Sequence, residues 1–189
     1  MAANDKLAGK RVAILVTNGF EQVEMTGPKM ALLKEGAEVD IVAPEGDKVQ
    51  GWNHHEKADE FDVDVVLEDA DPDSYDALVL PGGVINPDEL RQSQDVIQFV
   101  RYIFHAGKPV AAICHGPWTL IDAGVVEGRR MTSYPSLKTD LKNAGAEWVD
   151  EEVVVDQGLV TSRSPKDLRA FCDKMLEEIA EGVHAGQHA

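Results

Sequence analysis

Cys114 and His115 stand side by side, and no other pair in the 189-residue chain has types so suited to covalent chemistry. A thiol attacks a carbonyl carbon, and an imidazole takes up the proton that is released. The pair is preceded by the apolar run Pro109-Val110-Ala111-Ala112-Ile113 and followed by Gly116-Pro117-Trp118. A buried strand that runs into a cysteine and turns straight into a helix has the form of a nucleophile elbow, which pushes the reactive atom into the open. Such a turn needs small neighbours, and Ala112 and Gly116 flank Cys114 at two residues on either side. The N–H groups and dipole of the following helix are expected to favour the thiolate and to hold an oxyanion. The plainer alternative makes Cys114 a small core residue, and Cys172, on an apolar helix face, is expected to be one.

Other candidate groups are weaker. Glu21 and Glu24 lie one turn apart at the start of a helical stretch, where the dipole favours a carboxylate. His54-His55-Glu56 reads as a surface loop rather than a metal cluster, His105 ends a helix, and His184 and His188 fall in the tail. No Cys/His spacing matches a zinc site and no glycine-rich phosphate loop is present, so neither metal nor cofactor is expected.

The elements that must position the pair are legible from apolar runs. Val12–Val16, Val39–Val42, Ala77–Leu80 and Val110–Ile113 are apolar almost throughout, as in strands covered on both faces of a parallel sheet. Helical stretches alternate with them. One runs from about Glu21 to Lys34, interrupted by Gly27-Pro28 and closed by Gly36; another starts at about Ser93 and ends at Gly107. A third runs from His115 to Ala123, and Ser136–Ala144 is a short candidate. Two β runs surround Gln157-Gly158. A last helix follows Ser164, with Ser164 as N-cap, Pro165 at the first helical position and Asp167 completing the cap. Residues 183–189 are expected to fray. Strand–helix alternation predicts an α/β fold, a flavodoxin-like open parallel sheet with helices on both faces in a single domain over residues 1–189. Ligands on such sheets bind beyond the carboxyl ends of the strands, where the loops after Val16, Leu80 and Ile113 meet.

Composition narrows the partners. The net charge of −16 opposes phosphate backbones and anionic lipid, so neither nucleic acid nor membrane is expected. Two cysteines are too few for a disulfide framework, and the N-terminus lacks the apolar core of a signal peptide. A cytoplasmic location is the expectation.

The hexapeptide Ala112-Ile113-Cys114-His115-Gly116-Pro117 resembles the signature of the PfpI-type intracellular proteases, within the glutamine amidotransferase-like superfamily that includes the Parkinsonism-associated deglycase. Leu15–Glu24, Leu78–Gly83, Thr132–Pro135 and Glu147–Asp150 match further landmarks of that family in the same order. The resemblance implies that Cys114 is the nucleophile and His115 its base, and that Gly83 supplies a second oxyanion N–H. It also implies that Glu21 is the buried acid approaching the sulfur. Asp88, with Glu89 as alternative, falls where relatives carry an acid that orients the histidine of a neighbouring subunit. A homo-oligomer, at least a dimer, is therefore expected, and sedimentation showing an active monomer would overturn it.

Two reactions on a small carbonyl or peptide substrate fit this set: peptidase-like hydrolysis through a thioester, and glyoxalase or deglycase chemistry on methylglyoxal-type substrates. Amidotransferases of similar fold carry a His-x-Glu pair late in the chain, which is missing here, since no histidine lies between His115 and His184. The alternative outside enzymology is a redox sensor or holdase in which Cys114 is oxidised. A stress-protection role accommodates either.

Overall fold

The computed structural model describes residues 5–187. Its strands are β1 (Arg11–Leu15), β2 (Phe20–Glu21), β3 (Glu38–Ala43), β4 (Lys48–Asn53), β5 (Glu56–Asp62), β6 (Val65–Val66), β7 (Ala77–Leu80), β8 (Val110–Ile113), β9 (Arg130–Met131), β10 (Glu147–Trp148), β11 (Val153–Asp156) and β12 (Leu159–Ser162). Its helices are α1 (Gln22–Lys34), α2 (Ile85–Leu90), α3 (Gln94–His105), α4 (Pro117–Asp122), α5 (Lys138–Asn143) and α6 (Leu168–Glu181).

The main sheet has seven strands in the order β11-β12-β8-β7-β1-β3-β6. All neighbours pair in parallel except β11 and β12, which form a hairpin at one edge. Two apolar clusters cover its faces. One joins Leu78, Leu80, Val110 and Ala112 to Val96, Val100 and Phe104 of α3; the other joins Ile14, Val79 and Ile113 to Met25 of α1 and Phe171 and Met175 of α6. Alternate residues of one strand thus serve opposite layers, which is why the central strands are apolar throughout. The expected open parallel sheet with helices on both faces is what the chain forms, with one antiparallel edge added.

Several local expectations are corrected. A short helix not expected from the sequence, α2, occupies Ile85–Leu90. Ser164 does not cap α6. The Asp167 carboxylate instead accepts from the backbone N–H of Arg163 and from its guanidinium at 2.8 Å and 3.0 Å, and a 3₁₀ turn (Pro165–Asp167) leads into the helix. Ser93 does cap α3, accepting from the N–H of Val96. The polar stretch after Ala43 forms the hairpin β4–β5, which pairs with β2 as a separate three-stranded sheet. Phe61 packs on Phe20 there, ring centroids 5.9 Å apart.

The segment expected to fray after Gly182 is held down as far as the structure describes it. His184 N–H donates to the Gly107 carbonyl at 2.7 Å, and the buried Gln187 donates to the carbonyls of Phe104 and Lys108. His188 lies outside the described residues. Among the described residues, no helix is long and apolar enough to cross a membrane.

Candidate active site

Three loops beyond the carboxyl ends of β1, β7 and β8 meet at Cys114. Asn86, fully buried at the start of α2, ties two of them together. Its side-chain oxygen accepts from Thr17 N–H at 2.8 Å, while its amide donates to the carbonyls of Pro81 and Gly82 at 3.1 Å. The third loop is anchored when Cys114 N–H donates to Ser162 of β12 and Tyr134 N–H donates to the Cys114 carbonyl.

Cys114 sits at φ +61°. A side chain with a Cβ adopts this left-handed conformation at a cost of about 1–3 kcal/mol, and such strain is typical of reactive sites. The turn points the sulfur into a cleft of about 1020 Å³ and brings Sγ within 3.2 Å of Nδ1 of the next residue, His115. Adjacent side chains ordinarily point apart; the elbow is what lets these two meet. Gly82 must be glycine: a Cβ there would stand 2.6 Å from Glu24 Oε2 and 2.7 Å from the Cys114 Cβ.

The carboxyl that reaches the sulfur belongs to Glu24, not to Glu21. Glu24 is fully buried, interacts with the Cys114 thiol, and accepts from Gly82 N–H at 2.8 Å. Burial pushes its pKa up to about 8 against the pull of the Gly82 N–H, so it holds its proton at neutral pH. Its second oxygen, Oε1, is buried without a hydrogen-bonding partner among the described residues, which suits a neutral carboxyl better than a charged one. Glu21, the residue before α1, turns the other way. It accepts from the N–H of His54 at 3.0 Å and so pins the tip of the β4–β5 hairpin to the rim of the cleft. Positions 21 and 24 are one helical turn apart, and which carboxylate faces the sulfur is decided by distant partners, His54 N–H taking Glu21 and Gly82 N–H taking Glu24.

The helix start does not lower the thiol pKa as expected. Burial raises it, the neighbouring Glu24 carboxyl raises it further, and the N–H groups of His115 and Gly83 pull it only partly back. The helix concerned, α4, has six residues, so its dipole is small beside the desolvation of an anion. The Gly83 and His115 N–H groups do point at the Cys114 sulfur.

His115 is stripped of water in the same way, and burial lowers its pKa to about 4. It is therefore neutral at physiological pH and able to accept a proton at Nδ1. Tyr134 stacks on its ring at 4.7 Å, Trp118 meets it edge-on at 5.2 Å, and Nε2 lies 3.2 Å from the Ser136 hydroxyl. Asp88 and Glu89 are exposed on α2, and within one chain it is Ser136, not Asp88, that meets Nε2. Sequence reading missed Glu24, Ser136 and the two aromatic contacts, although Tyr134 lies inside the Thr132–Pro135 landmark. His54 and His55 form the turn of the hairpin and, with Arg163, Ser164 and Lys166, line the cleft beside Cys114.

A strained cysteine at a strand–helix elbow, flanked by a buried carboxyl and a histidine at the switch point of an open α/β sheet, defines a class of cysteine-centred α/β proteins. The model of the DJ-1/PfpI family matches residues 10–178, and the chain belongs to that family. It is 45% identical over 167 residues to a deglycase of Pyrococcus abyssi, which covers 88% of this chain and 98% of that protein. It is 42% identical over 165 residues to general stress protein 18 of Bacillus subtilis, covering 86% and 94%. Among solved structures, DJ-1beta of Drosophila melanogaster superposes with a TM-score of 0.82 at 31% identity, over 90% of each chain.

Proposed function

We propose that the chain is a protective deglycase with glyoxalase-type chemistry, in which the Cys114 sulfur adds to the aldehyde of methylglyoxal, either free or regenerated from its early hemiaminal and hemithioacetal adducts as the amine or thiol leaves with its proton. The observation that carries this reading is the pairing at one sulfur of a neutral imidazole and a protonated carboxyl. The thiol proton passes to His115 Nδ1 as sulfur adds to the carbonyl carbon, and the N–H groups of Gly83 and His115 hold the oxyanion. In the resulting hemithioacetal a proton must leave the carbon bonded to sulfur and return to the adjacent carbonyl carbon. The second carbon is thereby reduced as the first is oxidised, so no external oxidant is required. Glu24 is the group within reach that can relay that proton. Its own proton passes to the oxygen of the adjacent carbonyl, and the carboxylate so formed takes the proton from the first carbon and delivers it to the second. His115 then returns the thiol proton to Glu24. The lactoyl thioester that results is cleaved by water, giving lactate and the free thiol.

A peptidase needs the imidazole and the oxyanion donors but gives no task to a carboxyl protonated at neutral pH beside the nucleophile. The deglycase name of the Pyrococcus abyssi relative points the same way. The decisive measurement is lactate released from methylglyoxal and from a methylglyoxal-modified peptide. Lactate is expected from both; turnover of neither, alongside cleavage of peptide bonds or inert behaviour, overturns the reading.

A further inference from the structure

The end of α6 gathers three ligating side chains away from the cleft. Glu178 and Glu181 are three residues apart and share a helix face. Gly182, at φ +87°, ends the helix and turns the chain back, which sets His184 beside them. One ligating atom from each of Glu178, Glu181 and His184 lies within 4.8 Å of the other two.

The position of His184 is fixed by its surroundings. Its backbone N–H is bonded to the Gly107 carbonyl, and Gln187 locks the following turn to Phe104 and Lys108. Two glycines make room for it. A Cβ on Gly107 would stand 2.8 Å from the His184 carbonyl oxygen, and a Cβ on Gly158 would stand 2.8 Å from Cδ2 of the ring. The Glu178 side chain is only 9% exposed. His184 Nε2 is itself buried and makes no hydrogen bond among the described residues, although Glu178 Oε2 is 3.3 Å away. A buried ring nitrogen without a hydrogen-bond partner, a buried carboxylate at that distance and a second carboxylate on the solvent side are the parts of a metal site.

We infer that Glu178, Glu181 and His184 form a divalent-cation site, with zinc the best match, which fastens the C-terminal segment to α6 and to the turns at Gly107 and Gly158. With zinc–ligand bonds of about 2.0–2.2 Å, neighbouring corners of a tetrahedron are about 3.3–3.5 Å apart. The His184–Glu178 separation has that value without adjustment. Exposed Glu181 supplies the third corner, and one nitrogen with two oxygens leaves the fourth to water. The spacing Glu-x-x-Glu-x-x-His does not show the site in sequence, because the third ligand arrives only through the chain reversal at Gly182.

The test is a zinc titration by calorimetry and thermal melting, carried out in Cys114→Ala so that the cleft thiol takes no part. One zinc per chain is expected, with Tm rising by roughly 5–10 °C at a hundredfold excess over Kd. Glu181→Gln and His184→Gln, each added to Cys114→Ala, are expected to weaken binding at least tenfold and to abolish the rise. Because Glu181 is exposed, its variant should melt like its parent without zinc, which separates a lost ligand from a damaged fold. No zinc uptake up to about 1 mM, or an affinity unchanged in either variant, overturns the site.

Discussion

Turnover of methylglyoxal by Cys114→Ala is expected to fall by about 10⁴-fold or more, to the level of the uncatalysed reaction. The size of the loss follows from what the cleft contains. Cys114 is its one thiol among the described residues, since Cys172 does not line it. Glu24 and His115 can move protons, but neither forms the bond to carbon. The fold should survive the change. Alanine meets the same cost at φ +61° that cysteine does, and Gly82 and Gly116 were already small enough for the elbow. Circular dichroism and a Tm within a few degrees of the wild type would establish that the loss is chemical. Lactate formation that persists in Cys114→Ala would remove the sulfur from the mechanism, whatever else the cleft does.

Much of this arrangement is legible in the sequence. Val12–Leu15, Ala77–Leu80 and Val110–Ile113 feed both layers of the molecule, so they lack a polar face and read as central parallel strands. The elbow was legible because an apolar run ends directly on a cysteine with Gly116 two residues beyond, and Gly116 in the structure is too tightly packed for any side chain. What was illegible depends on contacts between distant segments. The choice between Glu21 and Glu24 rests on the β4–β5 hairpin, whose His54 N–H claims the first carboxylate, and on Gly82, which claims the second. The same holds for Asp167, which suits a helix cap by position but is taken by Arg163. The tail looked unstructured because its partners, Phe104, Gly107 and Lys108, lie about 80 residues earlier, as the separations of 83 and 79 residues in the Gln187 contacts show.

The identity of the buried acid has a consequence for stability that Glu24→Gln exposes. The Glu24 pKa is raised in the fold to about 8 from 4.5, so the folded state binds this proton more tightly than the unfolded chain. Below about pH 4.5 both states are protonated and the carboxyl costs nothing through ionisation. As pH rises from 4.5 to 8, the unfolded carboxyl ionises while the buried one does not, and stability falls by about 1.4 kcal/mol per pH unit. Above pH 8 the loss levels off, at roughly 3–5 kcal/mol. His115 works in the opposite direction: its pKa is lowered to about 4 from 6.5, so it withdraws stability as pH falls from 6.5 toward 4. These two groups together favour the window between about 4.5 and 6.5. Glutamine keeps an acceptor for the Gly82 N–H and a donor for the sulfur but has no charge to desolvate. Glu24→Gln should therefore match the wild-type Tm at pH 5 and exceed it by about 10 °C at pH 8.5. Its turnover should meanwhile drop by about 10²-fold or more, because an amide cannot relay a proton, while alkylation of Cys114 by iodoacetamide continues. An equal Tm difference at both pH values would mean that Glu24 does not titrate between them. A gain in stability with turnover intact would keep Glu24 as a buried acid and remove it from the proton relay. The site would then use Glu24 to set the protonation of the sulfur and would draw its relay from His115 alone.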